Sequence, residues 1–215
     1  MADKIKLDIV SDIACPWCII GYKRLEKAIT ELGIEECIDL EWQPFEINPD
    51  LPATGPDLRE HFAKKYGSSL EEGERFRDRI SALGAEIGFE FDFFAGMRSL
   101  NTRDAHVLLD YAKESGLQTE LQMRLFEGYF SEQKDISDRQ VLGSEVLRVG
   151  LNSDEALARL DDTSAQKRVQ DQEAHWHSLG VSSVPTVIIN HSKAVTGAQP
   201  VDVYKQLLAE LVEPL

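Results

Sequence analysis

The chain has 215 residues, enough to bury a sizeable core without disulfide staples. Its 38 acidic and 23 basic residues leave a formal net charge of −15, a field that repels phosphate backbones and argues against a nucleic-acid partner. No apolar run approaches bilayer length, and Met1-Ala2-Asp3-Lys4 leads into the first strand without an apolar targeting segment, so we expect a cytoplasmic protein with no membrane partner.

In chain order, Ile5-Lys6-Leu7-Asp8-Ile9-Val10 alternates and predicts a strand. Tyr22, Leu25, Ala28 and Ile29 recur with a helical period and predict a helix. Between them stands Ser11-Asp12-Ile13-Ala14-Cys15-Pro16-Trp17-Cys18, so two cysteines sit where a strand ends and a helix begins. A helix N-terminus offers unpaired N–H groups and the positive end of the dipole, which favour a thiolate. Cys15 is expected to be the exposed, attacking member, with Cys18 one turn later on the same face. Pro16 suits the first turn because its missing N–H would have no helical partner there. A strand, C-x-x-C and a helix together make a redox signature.

Beyond Gly33, residues 38–47 alternate as a second strand, in which Pro44 signals an edge position or a bulge. Residues 48–56 are dense in turn formers and predict a loop. From Asp57 to Leu179 the chain reads as a run of helices. Capping-box spacings stand at Ser69–Glu72, Ser137–Gln140 and Thr163–Gln166, Leu100–Asp104 opens a further helix, and glycines fall near the breaks. Residues 184–190 and 193–197 then predict a β-hairpin. Val201, Val203, Tyr204, Leu207, Leu208 and Leu211 mark a closing amphipathic helix over 200–211.

Tetrahedral zinc needs four ligands, and no second C-x-x-C accompanies Cys15 and Cys18, so no metal is expected. In a reducing cytosol the pair reads as catalytic. Cys37 reads as a free, structurally neutral thiol, with a mixed-disulfide role as the alternative. Asp12 reads either as a turn or cap residue or as a holder of the proton that Cys18 loses. Trp17 contacts substrate or packs on the helical block. The aromatic runs 91–94, 125–130 and 175–177 are expected in the core of that block, or alternatively on the rim of a cleft over the cysteines.

The order β-α-β, helical block, β-β-α with C-P-W-C after the first strand resembles the DsbA family, most closely its FrnE-like branch. The matching stretches are Ser11–Cys18 with Ile20-Gly21, Phe45–Pro49, Leu100–His106, Gly180–Thr186 and Gly197–Pro200, which together span nearly the whole chain. The resemblance implies an α/β, thioredoxin-like fold interrupted by an all-α insertion. Residues 1–56 and 180–215 would form the discontinuous thioredoxin-like domain, and 57–179 the helical insertion. It also implies a cis Pro185 facing the cysteines, with the Val184 backbone turned outward so that a substrate strand can pair with it.

The expected activity is thiol–disulfide exchange with thiol- or disulfide-containing proteins or small molecules. Cys15 attacks, Cys18 resolves, and Pro16, Trp17, Val184 and Pro185 meet the substrate. No cofactor is required beyond glutathione as a redox partner. The alternative is a glutathione-dependent enzyme like the kappa-class transferases and 2-hydroxychromene-2-carboxylate isomerases, which carry serine where Cys15 stands. Asn101-Thr102 would then line a glutathione-sized pocket. A third reading is a non-enzymatic redox-sensing or chaperone-like module using the same cleft.

Overall fold

A computed structural model describes residues 4–52 and 54–212. Met1 to Asp3, read above as leading into the first strand, and Ala53 of the predicted loop lie outside the described residues. The described strands form one mixed sheet in the order β2-β1-β3-β4. Strand β1 (Ile5–Ser11) runs parallel to β2 (Ile38–Pro44) and antiparallel to β3 (Thr186–Ile189), which pairs antiparallel with β4 (Lys193–Thr196). The hairpin and the first strand therefore stand where the residue pattern put them, and the second strand begins where it was predicted.

Alternation along β1 sorts its side chains onto two faces. Ile5, Leu7 and Ile9 enter the main core, which also holds Ile19, Ile20 and Leu25 of α1 (Pro16–Leu32) and Tyr204 and Leu208 of α9 (Val201–Ala209). Val10, on the other face, joins Ile188, Phe45 and Trp176 in a smaller cluster.

Between β2 and β3 the chain forms seven described helices. They are α2 (Leu58–Tyr66), α3 (Leu70–Glu86), α4 (Arg103–Glu114), α5 (Gln118–Phe130), α6 (Arg139–Arg148), α7 (Ser153–Arg159) and α8 (Thr163–Ser178). The Ser69–Glu72 capping box is formed at the start of α3. The other two boxes are corrected by one residue: Asp138 caps α6 and Asp162 caps α8. In both places a neighbouring carboxylate, one position after Ser137 and one position before Thr163, takes the free amides itself, at Gln140 and Val141 in α6 and at Ser164 in α8.

The second strand is shorter than predicted. It stops at Pro44, at the sheet edge, and the Glu46 and Ile47 amides leave the ladder for carboxylates, Glu173 Oε1 and Asp12 Oδ2, at 2.6 Å each. Among the described residues no helix is long and apolar enough to cross a membrane.

Candidate active site

Cys15 is the N-cap of α1, in extended backbone, and Pro16 opens the helix. The Cys15 amide donates to the Asp12 carbonyl at 3.0 Å, and the Cys18 amide donates to the Cys15 carbonyl at 3.1 Å. The tight turn Asp12–Cys15 thus delivers the first cysteine to the start of the helix and carries the second one turn inward. Both thiols are free. The Cys15 Sγ lies 3.8 Å from the Val184 carbonyl oxygen, to which it donates. The Val184–Pro185 peptide bond is cis. Behind Pro185 sits Gly21, where even a methyl group would meet Pro185 Cγ at 3.0 Å, so the bare helix face lets α1 and the Pro185 segment approach closely.

The expected exposure of Cys15 is corrected: only 4 % of its surface is accessible. The Val184 carbonyl covers it on one side, and on the other it lies in a cleft of about 650 Å³ walled by α2 and α3. Cys18 is fully buried. That burial, and after it the adjacent Cys15, pushes the Cys18 thiol well above the ordinary cysteine value, against the opposing influence of the Ser11 hydroxyl and the Asp12 backbone amide. The arrangement distinguishes the two sulfurs chemically: one borders a cleft, and the other is sealed with its thiol form favoured.

Trp17 meets the packing expectation and also borders the cleft. It lines the cleft, and it also packs on the helical block, edge-on to Phe76 at 6.3 Å with the Arg79 guanidinium 5.8 Å from its ring centroid. Of the three aromatic runs, Phe93, Tyr129 and Phe130 reach the cleft. Trp176 does not; it packs against the far face of the sheet and donates to Gln43 Oε1 at 3.3 Å. Cys37 lies in a 3-10 turn (Glu35–Cys37), packed on the main core and away from the cleft.

Asp12 takes the turn role. Its buried carboxylate accepts from the Ala14 amide at 3.2 Å and from the Ile47 amide at 2.6 Å. Asn101 is likewise committed to scaffolding, and the pocket-lining expectation for Asn101-Thr102 is corrected. Asn101 Nδ2 donates to the Pro49 and Leu51 carbonyls at 3.1 Å each, and neither residue borders the cleft. The same stretch supplies Arg103, whose Nε donates to Glu46 Oε1 at 2.9 Å, and His106, whose Nε2 lies 3.1 Å from the Phe45 carbonyl. Burial raises the Glu46 carboxyl above its usual range, with Arg103 opposing the shift. Leu100 to His106 thereby fastens the chain that leaves β2 beside the cysteines.

Sequence reasoning missed the α2–α3 contribution: His61, Phe62, Lys65, Tyr66 and Arg77 all border the cleft. Nothing local marks them, because they sit on helices whose polar residues look like an ordinary solvated face. Among the described residues no three His, Cys, Asp or Glu side chains come together as a metal-binding set.

A sheet with a C-x-x-C at its first strand–helix junction, capped by a helical block, defines a thioredoxin-fold protein. Residues 6–209 match the DSBA-like thioredoxin domain, and the chain belongs to that family. It is similar to a probable DsbA oxidoreductase, SCO1869 of Streptomyces coelicolor, at 28 % identity and a TM-score of 0.91, over 98 % of this chain and 92 % of that one. It is 25 % identical over 207 residues to the uncharacterized protein YwbO of Bacillus subtilis (strain 168), covering 96 % of each chain. The fold is also shared with the cytosolic disulfide reductase DsbM of Pseudomonas aeruginosa, solved with GSH, at 17 % identity and a TM-score of 0.66, over 96 % of this chain and 98 % of that one.

Proposed function

We propose that the protein is a thiol–disulfide oxidoreductase in which Cys15 attacks and Cys18 resolves. The Cys15 thiolate forms a bond to one sulfur of a substrate disulfide, and the other sulfur leaves with the electron pair as a thiolate. Cys18 then gives up its proton and attacks the Cys15 sulfur, closing the Cys15–Cys18 disulfide and releasing the second thiolate. Two electrons pass from the protein to the substrate, and the reverse sequence oxidises a dithiol. Pro16 and Trp17 bear on the substrate from the helix start, and the Val184–Pro185 backbone from the sheet side.

The observation that carries this reading is the asymmetry of the pair: Cys15 at the helix N-cap beside both the cleft and the Val184 carbonyl, Cys18 sealed one turn behind it. A cytoplasmic setting fits the reading, since thiols are kept reduced there and glutathione is available as a redox partner. A glutathione-dependent transferase or isomerase remains the rival, and the presence of Cys15 where those enzymes carry serine weighs against it.

The test equilibrates the protein with graded reduced and oxidised glutathione and reads the Cys15–Cys18 state by mass spectrometry. A reversible intramolecular disulfide is expected, together with no exchange in Cys15→Ser and accumulated mixed disulfide in Cys18→Ser. Glutathione held without covalent attachment, with no disulfide at any buffer ratio, would sink the proposal in favour of the transferase or isomerase.

A further inference from the structure

The cleft beside Cys15 has two properties that bare thiol chemistry does not require. First, it is aromatic. Phe62 of α2 and Phe76 of α3 stack at 5.0 Å with 27° between their planes, and Trp17 meets Phe76 edge-on at 6.3 Å. All three border the cleft together with Cys15. Second, it is basic within a chain of net charge −15. Lys65 donates only to neutral acceptors, the Ile47 carbonyl at 2.8 Å and Asn48 Oδ1 at 2.7 Å. Arg77 has no hydrogen-bond or ion-pair partner among the described residues, although it is half-buried and borders the cleft.

The placement of Arg77 is built into its helix. Gly73 stands one turn earlier, where a Cβ would meet Arg77 Nη1 at 3.3 Å and Phe62 Cδ1 at 3.7 Å. Glycine inside a helix costs about 1 kcal/mol relative to alanine, and here its bareness leaves room for the Arg77 guanidinium and the Phe62 ring edge, which both approach that position. Burial, and after it the positive charge of Arg59, lowers the Arg77 pKa from the ordinary arginine value against the opposing charges of Glu74, Asp78 and Asp57. None of these carboxylates contacts the guanidinium, so an anion in the cleft would be its direct partner. Glu72, the acidic residue bordering the cleft, is already engaged: its carboxylate accepts the Ser69 amide in the α3 capping box. The buried Ser68 hydroxyl, also at the cleft, has no partner among the described residues.

We propose that this cleft selects small disulfides whose halves carry an aromatic ring and an anionic group, the ring lying against Trp17, Phe62 and Phe76 and the anion meeting Arg77. The proposal rests on the oxidoreductase reading and names its substrate class. Small size is the choice the recess favours, because Cys15, 4 % exposed at a cleft wall, is reached more readily by a small disulfide than by one held in a folded protein surface. In a single turnover the Cys15 thiolate displaces one aryl thiolate and Cys18 displaces the second. One substrate disulfide becomes two thiols, and the Cys15–Cys18 dithiol becomes a disulfide.

The test uses the reduced full-length protein in a Cys37→Ala background, so that no other thiol reports. Stopped-flow rates are measured with four probes: dithiobis(nitrobenzoate), aromatic and anionic; dithiodipyridine, aromatic and neutral; oxidised glutathione, aliphatic and anionic; and hydroxyethyl disulfide, aliphatic and neutral. Each rate is divided by that of N-acetylcysteine with the same probe, which removes intrinsic leaving-group reactivity. The nitrobenzoate disulfide is expected to show the largest normalised rate. Losing one charge-assisted contact in Arg77→Gln should lower that rate roughly tenfold, while the dithiodipyridine rate changes less than about twofold. Arg77→Lys should recover part of the loss. Equal normalised rates across the four probes, or an equal Arg77→Gln effect on charged and neutral aromatic probes, would overturn the selectivity and leave the oxidoreductase reading standing. Failure of Cys15 to react with any probe would overturn both.

Discussion

The Asp12 carboxylate accepts the Ile47 amide at 2.6 Å, tying the turn before the cysteines to the chain that leaves the neighbouring strand. The contact is buried, with Asp12 1 % exposed, and its other oxygen accepts the Ala14 amide. His106 Nε2 stands 3.7 Å away. Asp12→Ala therefore leaves two amides without an acceptor, and hydrogen bonds to a charged group contribute about 1.5–3 kcal/mol each. We expect a loss of about 3–6 kcal/mol in urea unfolding. Asp12→Asn, which keeps one carbonyl oxygen, should fall between the two. A loss in Asp12→Ala below about 0.5 kcal/mol, within the range of ordinary surface substitutions, would mean that water replaces the carboxylate.

Gly21 presents a different constraint. Helix propensity favours alanine there by about 1 kcal/mol, yet the added methyl would stand 3.0 Å from Pro185 Cγ and 3.4 Å from Ala198 Cα. A proline ring and a backbone carbon are not the free ends of a flexible side chain, so the segment beside Cys15 must shift. Overpacking of this kind costs about 1–3 kcal/mol, which outweighs the propensity gain. Gly21→Ala should lower the thermal midpoint and change the reactivity of Cys15 towards small disulfides. A variant more stable than the parent would show that the Pro185 loop yields freely.

One side chain of the helical block pairs with the backbone of the sheet edge. Gln118, at the start of α5, accepts the Trp42 amide at 2.9 Å and donates to the Trp42 carbonyl at 3.0 Å, as a neighbouring strand would. This covers part of the exposed edge of β2, which would otherwise offer unpaired backbone to another chain. Gln118→Ala orphans a buried donor and a buried acceptor, at about 1–3 kcal/mol for each group left unsatisfied. The expected outcome is a destabilisation of that order, with faster hydrogen exchange at Trp42 than at the β1 amides. Unchanged exchange at Trp42 would show that the glutamine is dispensable.

The redox junction was legible because its determinants are local. The period of two along Ile5–Val10 changes to a helical period by Tyr22, and the cysteines fall at the change. The hairpin at Thr186–Thr196 and the Ser69–Glu72 cap were legible for the same reason. The burial of Cys15 was not, since the Val184 carbonyl that covers its sulfur comes from a residue far away in sequence. The early end of β2 was hidden likewise: the acceptor that draws the Ile47 amide out of the sheet is Asp12, thirty-five residues back. Arg77 could not be singled out at all. Only the fold shows that its guanidinium and the Phe62 ring edge both approach the bare Gly73.

The sealed position of Cys18 makes stability depend on alkaline pH, with a definite sign. Burial raises its thiol well above the ordinary value in the fold, whereas the unfolded chain ionises it near about 8.5. Between these two values the folded state holds the extra proton, so stability falls as pH rises, by at most about 1.4 kcal/mol per pH unit for one group. The contribution is fully present below about pH 8.5 and is lost progressively above it. Tyr22 and Tyr129, whose phenols burial also raises, act in the same direction only above about pH 10. Urea unfolding of the reduced protein and of Cys18→Ala, compared from pH 7 to 10, isolates the thiol. The parent should lose stability relative to the variant across that window. On the proposed exchange mechanism the same proton would also govern resolution, because Cys18 would have to release it before attacking the Cys15 mixed disulfide. Resolution should therefore accelerate over the pH range in which the fold weakens. Parallel stability curves for parent and variant would mean that Cys18 ionises in the folded protein as readily as in the unfolded chain.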